Sequence, residues 1–202
     1  TDFEHYVEHY LPWLPAAFGR RLARAFARRR CAQVDLLLVP SSAMLGVLRR
    51  YGIATAIEVL PTGLPEAAFR RGDGAHFRSR HGIALGRPLA VHVGRLGHEK
   101  NLHFLLDAFA LARRTVPAAT LIVAGEGPAR RALERRASAP DLAGAVRFLG
   151  YLDRGRELGD CYRAGDLFLF ASRTETQGLV LLEAMAQGVP AVALAEQGTT
   201  DL

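Results

Sequence analysis

The chain has 202 residues, with 26 Lys+Arg against 20 Asp+Glu, a formal net charge of +6 and two cysteines. Half of it is hydrophobic, enough for a buried core, which excludes disorder for the bulk of the chain. No apolar run approaches the roughly 18–20 residues of a membrane-spanning helix. Cys31 and Cys161 lie far apart in no metal-like spacing and cannot by themselves form a zinc site or a disulfide framework, which suits a reducing cytoplasm.

The basic balance points to an anionic partner: nucleic acid, acidic lipid or a phosphorylated small molecule. The basic residues are dispersed and carry no aromatic-basic stacking platform, which argues against nucleic acid. Among the 26 cations a single lysine occurs, Lys100. Its survival in an arginine-rich chain is either chance or a sign of use.

The opening Thr1-Asp2-Phe3-Glu4-His5 is polar and acidic, unlike a signal peptide. The chain starts without methionine and stops soon after a strand-like run, so a fragment truncated at both ends is expected. Residues 1–30 read as helical, with Tyr6, Tyr10 and Trp13 on one face before Pro12 and Pro15 interrupt the pattern. Phe18, Leu22, Ala25 and Phe26 then follow helical spacing, with Arg20, Arg21, Arg24 and Arg28 mostly off that face. Two readings stand open: a surface helix packed on a core with solvated arginines, or an interfacial helix on anionic lipid.

Regular alternation begins at Val34. The run 34–39 is strand-like and ends at Pro40, and Ser41 or Ser42 can cap a helix reaching Tyr51-Gly52. A second strand, 57–60, ends at Pro61-Thr62-Gly63. The glycine-rich stretch 62–87 reads as a linker with one helix near 73–81, placing a boundary between domains 1–63 and 64–202. Beyond it, strands at 88–93, 120–124, 146–149, 167–170 and 191–194 alternate with helices near 100–115, 127–138, 154–163 and 178–187. Short apolar strands each followed by a helix predict an α/β fold: a doubly wound parallel sheet, Rossmann-like.

Ligands of such sheets bind at the carboxyl ends of the strands. Three loops there carry polar residues. The first is Gly94-Arg95-Leu96-Gly97-His98-Glu99-Lys100-Asn101, where tight turns, a following helix start and two cations make a pyrophosphate cradle. It matches neither the Walker spacing nor G-x-G-x-x-G. The second is Gly125-Glu126-Gly127-Pro128, which is either a ligand loop or simply a tight strand-to-helix turn. The third runs from Ala171 to Glu183. Gly178 lets a ligand approach a helix N-terminus whose amides favour anions. Glu183 sits in an apolar stretch where a carboxylate needs partners, such as sugar hydroxyls, unless it lies on the solvent stripe of the helix.

Taken in order, Gly94-Arg95, Glu99-Lys100-Asn101, Gly125-x-Gly-Pro and the Glu175-to-Glu183 spacing followed by Ala-Met-Ala-x-Gly-x-Pro resemble the donor half of a family 4 glycosyltransferase. The resemblance spans about residues 34–195. It implies a retaining GT-B enzyme whose C-terminal domain is present here with a remnant, 1–63, of the acceptor domain. By the same resemblance, Glu175, Arg95 and Lys100 would carry catalysis: the two cations neutralise the donor diphosphate, and Glu175 holds hydroxyls of the transferred sugar. Glu183 would bind the ribose, while Gly94, Gly125, Gln177, Gly178, Leu179 and Leu149 would complete the substrate site. No metal and no cofactor are implied, the nucleotide-sugar being a substrate.

The opening segment, with His9-Tyr10, is similar to members that glucosylate diacylglycerol. The implied reaction is hexose transfer from UDP-glucose, or secondarily GDP-mannose, to a lipid or glycolipid acceptor at an anionic membrane surface. The implied location is cytoplasmic or peripheral on the inner face of the cell membrane. The fragment alone is not expected to turn over. Alternatives are a nucleotide-sugar-binding module without turnover and a GT-B nucleotide-sugar epimerase.

Overall fold

A computed structural model of the chain describes residues 16–201. The aromatic positions Tyr6, Tyr10 and Trp13, and the expected helix over 1–15, lie outside the described residues. The chain divides into two compact units. One comprises 16–63 with 172–178 and 195–201; the other comprises 64–171 with 179–194.

In the first unit, helix α1 (Ala16–Cys31) precedes strand β1 (Leu36–Val39), helix α2 (Ser42–Arg50) and strand β2 (Ala56–Val59). The two strands pair in parallel, Leu36 opposite Ala56. Ser41 caps α2, its Oγ accepting from the Met44 N–H at 3.2 Å. Ala27, Val39, Met44, Val47, Tyr51 and Ile53 form a small core.

The helix α1 corrects one expectation. Its large apolar residues do not face this core: Phe18, Leu22 and Phe26 are 58%, 59% and 49% exposed, and Ala25 is exposed as well. The buried positions are Gly19, Ala23 and Ala27, at i, i+4, i+8. The Arg28 Nε–H also donates to the Tyr51 carbonyl, and Arg24 lies over the Tyr51 ring.

The second unit is built on five parallel strands: β3 (Leu89–Val93), β4 (Thr120–Ala124), β5 (Val146–Gly150), β6 (Leu167–Phe170) and β7 (Ala191–Ala193). Their spatial order is β5-β4-β3-β6-β7. The chain winds outward in one direction from β3, returns to the centre, and winds outward in the other. This is the doubly wound order, with its switch point between β3 and β6. The helices α3 (Gly74–Arg80), α4 (Leu102–Ala112), α5 (Arg130–Ala137), α6 (Glu157–Ala164) and α7 (Leu179–Ala186) cover the sheet.

Alternate residues feed alternate faces. Leu89, Val91, Ile122, Phe168 and Phe170 pack with Cys161, Tyr162, Leu181 and Ala184 of α6 and α7. On the other face Ala90, Leu121 and Val123 pack with Leu105, Leu106, Phe109 and Leu133 of α4 and α5. Both faces are buried, which is why the strands read as near-continuous apolar runs.

One arginine joins the linker helix to the sheet. Arg78 of α3, 5% exposed, donates to the carbonyls of Ala164, Ala84, Leu85 and Arg87 and to the Asp166 carboxylate at 2.8–3.2 Å. The same carboxylate accepts from the Leu89 N–H at 2.8 Å, at the start of β3. Gln187, just past α7, anchors the preceding stretch: its amide donates to Ala68 and Arg70 carbonyls and accepts from the Gly72 N–H.

Candidate functional site

The carboxyl ends of β3, β4 and β5 converge on a cavity of about 300 Å³. Gly94 and Arg95 line it from the loop after β3, Gly125 and Glu126 from the loop after β4, and Tyr151, Leu152 and Arg154 from the loop after β5. Leu158 of α6 and Val180 and Glu183 of α7 complete the wall. Four residues singled out from sequence, Gly94, Arg95, Gly125 and Glu183, thus meet at one place.

The loops touch through their backbones. The Gly94 N–H donates to the Ala124 carbonyl (3.0 Å), the Leu96 N–H to Glu126 (2.9 Å) and the Ala129 N–H to Leu96 (2.9 Å). A Cβ on Gly125 would stand 1.9 Å from the Gly94 oxygen, and one on Gly127 2.4 Å from the Leu96 oxygen. Gly125 also has φ +134°, a conformation that side chains resist. The Gly-x-Gly turn therefore serves the close approach of two loops, and this approach sets the cavity floor. Beside it β5 bulges, so that Ala124 pairs with Gly150 rather than Leu149. The Leu149 side chain packs against the core and is not among the residues lining the cavity.

Charges at the cavity are arranged in pairs. Arg95, half exposed, pairs with the nearly buried Glu99 carboxylate. Glu126 pairs with Arg130, which also holds Glu134 at 2.8 Å. Glu183 lies 3.6 Å from Arg154 through Oε1 and accepts from the Tyr162 hydroxyl at 2.7 Å through Oε2. Burial, and secondarily the Glu183 charge, push the Tyr162 phenol well above its ordinary range, so it stays a proton donor.

Other singled-out residues lie elsewhere. Lys100 is half-buried in a single turn, His98–Lys100, ahead of α4, and is not part of the cavity wall. The following Asn101 adopts φ +55° and donates from its amide to the Ala171 carbonyl at 3.1 Å. Leu179 opens α7. Glu175, Gln177 and Gly178 belong to the other unit. There the Gln177 side chain both accepts from the Thr62 N–H (3.0 Å) and donates to the Thr62 carbonyl (2.8 Å). The side chain is thus occupied within that unit. The Glu175 carbonyl accepts from the Gly198 N–H at 3.0 Å.

Among the described residues no group of His, Cys, Asp and Glu could hold a metal ion, and no helix is long and apolar enough to cross a membrane. Arg78, Gln187 and Tyr162 carried no sequence signal: each makes a bond that spans a long stretch of chain, Arg78 to Asp166 across 88 residues, Gln187 to Ala68 across 119 and Tyr162 to Glu183 across 21.

A doubly wound parallel sheet with a charged cavity at its carboxyl edge defines a Rossmann-like α/β domain. The family model "Glycosyl transferases group 1" matches residues 74–202, and the chain belongs to that family. Alpha-monoglucosyldiacylglycerol synthase of Streptococcus pneumoniae is 32% identical over 201 residues, covering 96% of this chain but 44% of the relative. Sulfoquinovosyl transferase of Arabidopsis thaliana is 34% identical over 173 residues, covering 83% and 32%. Among solved structures, sucrose-phosphate synthase from Thermosynechococcus elongatus superposes with a TM-score of 0.76 at 26% identity, covering 88% of this chain and 45% of that one. Anabaena HepE in complex with UDP and glucose also superposes at 0.76, with 24% identity and coverage of 91% and 50%, a likeness of fold. The chain thus spans about half or less of the length of these proteins.

Proposed function

We propose that the complete protein is a retaining glycosyltransferase that moves a hexose from a nucleotide diphosphate sugar to a lipid or glycolipid acceptor. The observation that carries this reading is the convergence of Gly94, Arg95, Gly125 and Glu183 on one cavity. Arg95 and Lys100 neutralise the diphosphate as it departs, since fixed cations stabilise charge as it develops. Glu183 accepts from the ribose hydroxyls and Glu175 from those of the transferred sugar. Backbone amides at Gln177, Gly178 and Leu179 complete the anion site, and no metal is needed. UDP-glucose is the favoured donor, in line with the UDP and glucose bound to HepE, and GDP-mannose is the second candidate. A diacylglycerol-type acceptor is favoured by the pneumococcal and Acholeplasma laidlawii relatives, both alpha-monoglucosyldiacylglycerol synthases.

The first unit is read as part of the acceptor domain. Its two-stranded sheet leaves Leu36 and Leu38 half exposed, and such a pair is marginal without further strands or cover. The exposed Phe18, Leu22 and Phe26 of α1, beside Arg20, Arg21 and Arg24, suit contact with an anionic membrane from the cytoplasmic side.

The test is calorimetric titration of the complete protein with UDP-glucose, GDP-mannose and ADP-glucose, repeated with Lys100→Ala. One donor is expected to bind and to be lost in the variant. A Glu175→Ala enzyme that transfers sugar at a near-normal rate overturns the assigned roles. Sedimentation with phosphatidylglycerol vesicles, unchanged by replacing Phe18, Leu22 and Phe26 with serine, overturns the membrane contact.

A further inference from the structure

The second unit buries a polar side chain behind the cavity wall that the reading above does not use. Tyr162 is 2% exposed, and its ring packs on Phe168 with centroids 5.5 Å apart. A phenol hydroxyl buried on this scale needs a partner, and this one reaches across from α6 to α7 and donates to Glu183 Oε2 at 2.7 Å. The Glu183 side chain is 15% exposed. Its other oxygen, Oε1, lies nearest Arg154, which also lines the cavity.

A glutamate side chain has three rotatable bonds, and ordering it on ligand binding costs conformational entropy. A hydrogen bond from a rigid, buried phenol removes that cost in advance and uses up one of the two carboxylate oxygens. We propose that Tyr162 is a positioning residue for the nucleotide: its hydroxyl holds Glu183 so that Oε1 meets the ribose diol of the donor. This rests on the reading of Glu183 as the ribose acceptor. Tyr162 does not touch the donor; it acts through Glu183, remote from the bond that breaks.

The experiment uses the complete protein and the diphosphates UDP, GDP and ADP, each beside its 2′,3′-dideoxy counterpart. All three share the ribose diol, so the outcome does not depend on which base is preferred. Tyr162→Phe keeps the ring and its packing while deleting the hydroxyl. It is expected to weaken the ribonucleotide about tenfold, as loss of a hydrogen bond to a charged group does, and to leave the dideoxynucleotide unchanged. In turnover, donor KM rises about tenfold while kcat stays within about twofold, the pattern of lost uniform binding. Glu183→Ala abolishes the preference for ribose, and adding Tyr162→Phe to it changes nothing more, because the two act as one unit. If Tyr162→Phe fails to fold, 3-fluorotyrosine at position 162 replaces it: the hydroxyl becomes a stronger donor, and ribose preference is expected to hold or increase.

Equal weakening of ribo and dideoxy forms in Tyr162→Phe, no weakening at all, or loss of preference with 3-fluorotyrosine overturns the positioning role while leaving the ribose reading intact. Retention of ribose preference in Glu183→Ala overturns the ribose reading itself. Failure of all three diphosphates to bind the wild-type protein overturns the donor site on which both stand.

Discussion

Replacing Gly125 with alanine drives a methyl group into the Gly94 carbonyl. The added Cβ falls 1.9 Å from that oxygen and 2.9 Å from its carbon. Carbon and oxygen settle no closer than about 3.3 Å, so one loop must retreat by more than 1 Å or so. The backbone at φ +134° adds about 1–3 kcal/mol of strain for any side chain. Retreat also breaks the Gly94-to-Ala124 bond (3.0 Å) or the Gly125-to-Gly150 bond (2.7 Å), at about 1 kcal/mol each. The sum is about 2–4 kcal/mol, a large share of the roughly 5–15 kcal/mol of a typical domain.

Two other glycines calibrate this figure. Gly144 has φ +71° but open space around its Cβ position, so Gly144→Ala tests conformation alone and should cost about 1–2 kcal/mol. Gly86 has neither constraint, and Gly86→Ala should be neutral or stabilise by up to about 0.5 kcal/mol. Urea unfolding of the three variants at constant m-value gives the ranking. Because Gly94 and Arg95 line the cavity, Gly125→Ala should also weaken nucleotide binding. A Gly125→Ala protein whose midpoint matches that of Gly86→Ala would refute the reasoning, since the loop contact would then be soft.

Arg78→Met should destabilise by about 2–4 kcal/mol, because it leaves the Ala164, Ala84, Leu85 and Arg87 carbonyls short of a donor; thermal unfolding within about 1 °C of wild type would count against it. The two cysteines should differ in reactivity. Burial raises both thiols, and it pushes the fully buried Cys161 up to about 12, so at pH 8 the native protein should take label at Cys31 and at Cys161 only after denaturant, as read by peptide mass spectrometry.

The sheet was legible in the chain because its evidence is local. Each strand from Leu89 onward is a short apolar run between turn residues, and the observed bounds differ from those expected by a residue at most. Loop chemistry was legible for the same reason: glycines and charges at strand ends announce a site wherever the order of strands is doubly wound. What the spacing could not show is which atoms meet. Gly125 reads equally as a ligand loop or a turn until the Gly94 oxygen is found against it. Gln177 offers a side chain as well as a backbone amide until its side chain is found spanning the Thr62 backbone. In α1 the periodicity of large apolar residues could not show which face is buried: Gly19, Ala23 and Ala27 are, while Phe18, Leu22 and Phe26 are exposed.

Sequence by itself determined the alternation of strands and helices, the family and four residues, Gly94, Arg95, Gly125 and Glu183, that line the cavity at the carboxyl edge. The tertiary structure alone decided the partners: Arg78 with carbonyls drawn from both sides of the sheet's starting edge, Gln187 with the stretch 68–72, and Tyr162 with Glu183. Periodicity is written in neighbours along the chain, whereas a hydrogen bond between residues 21 or 86 apart exists only after packing has brought two helices together.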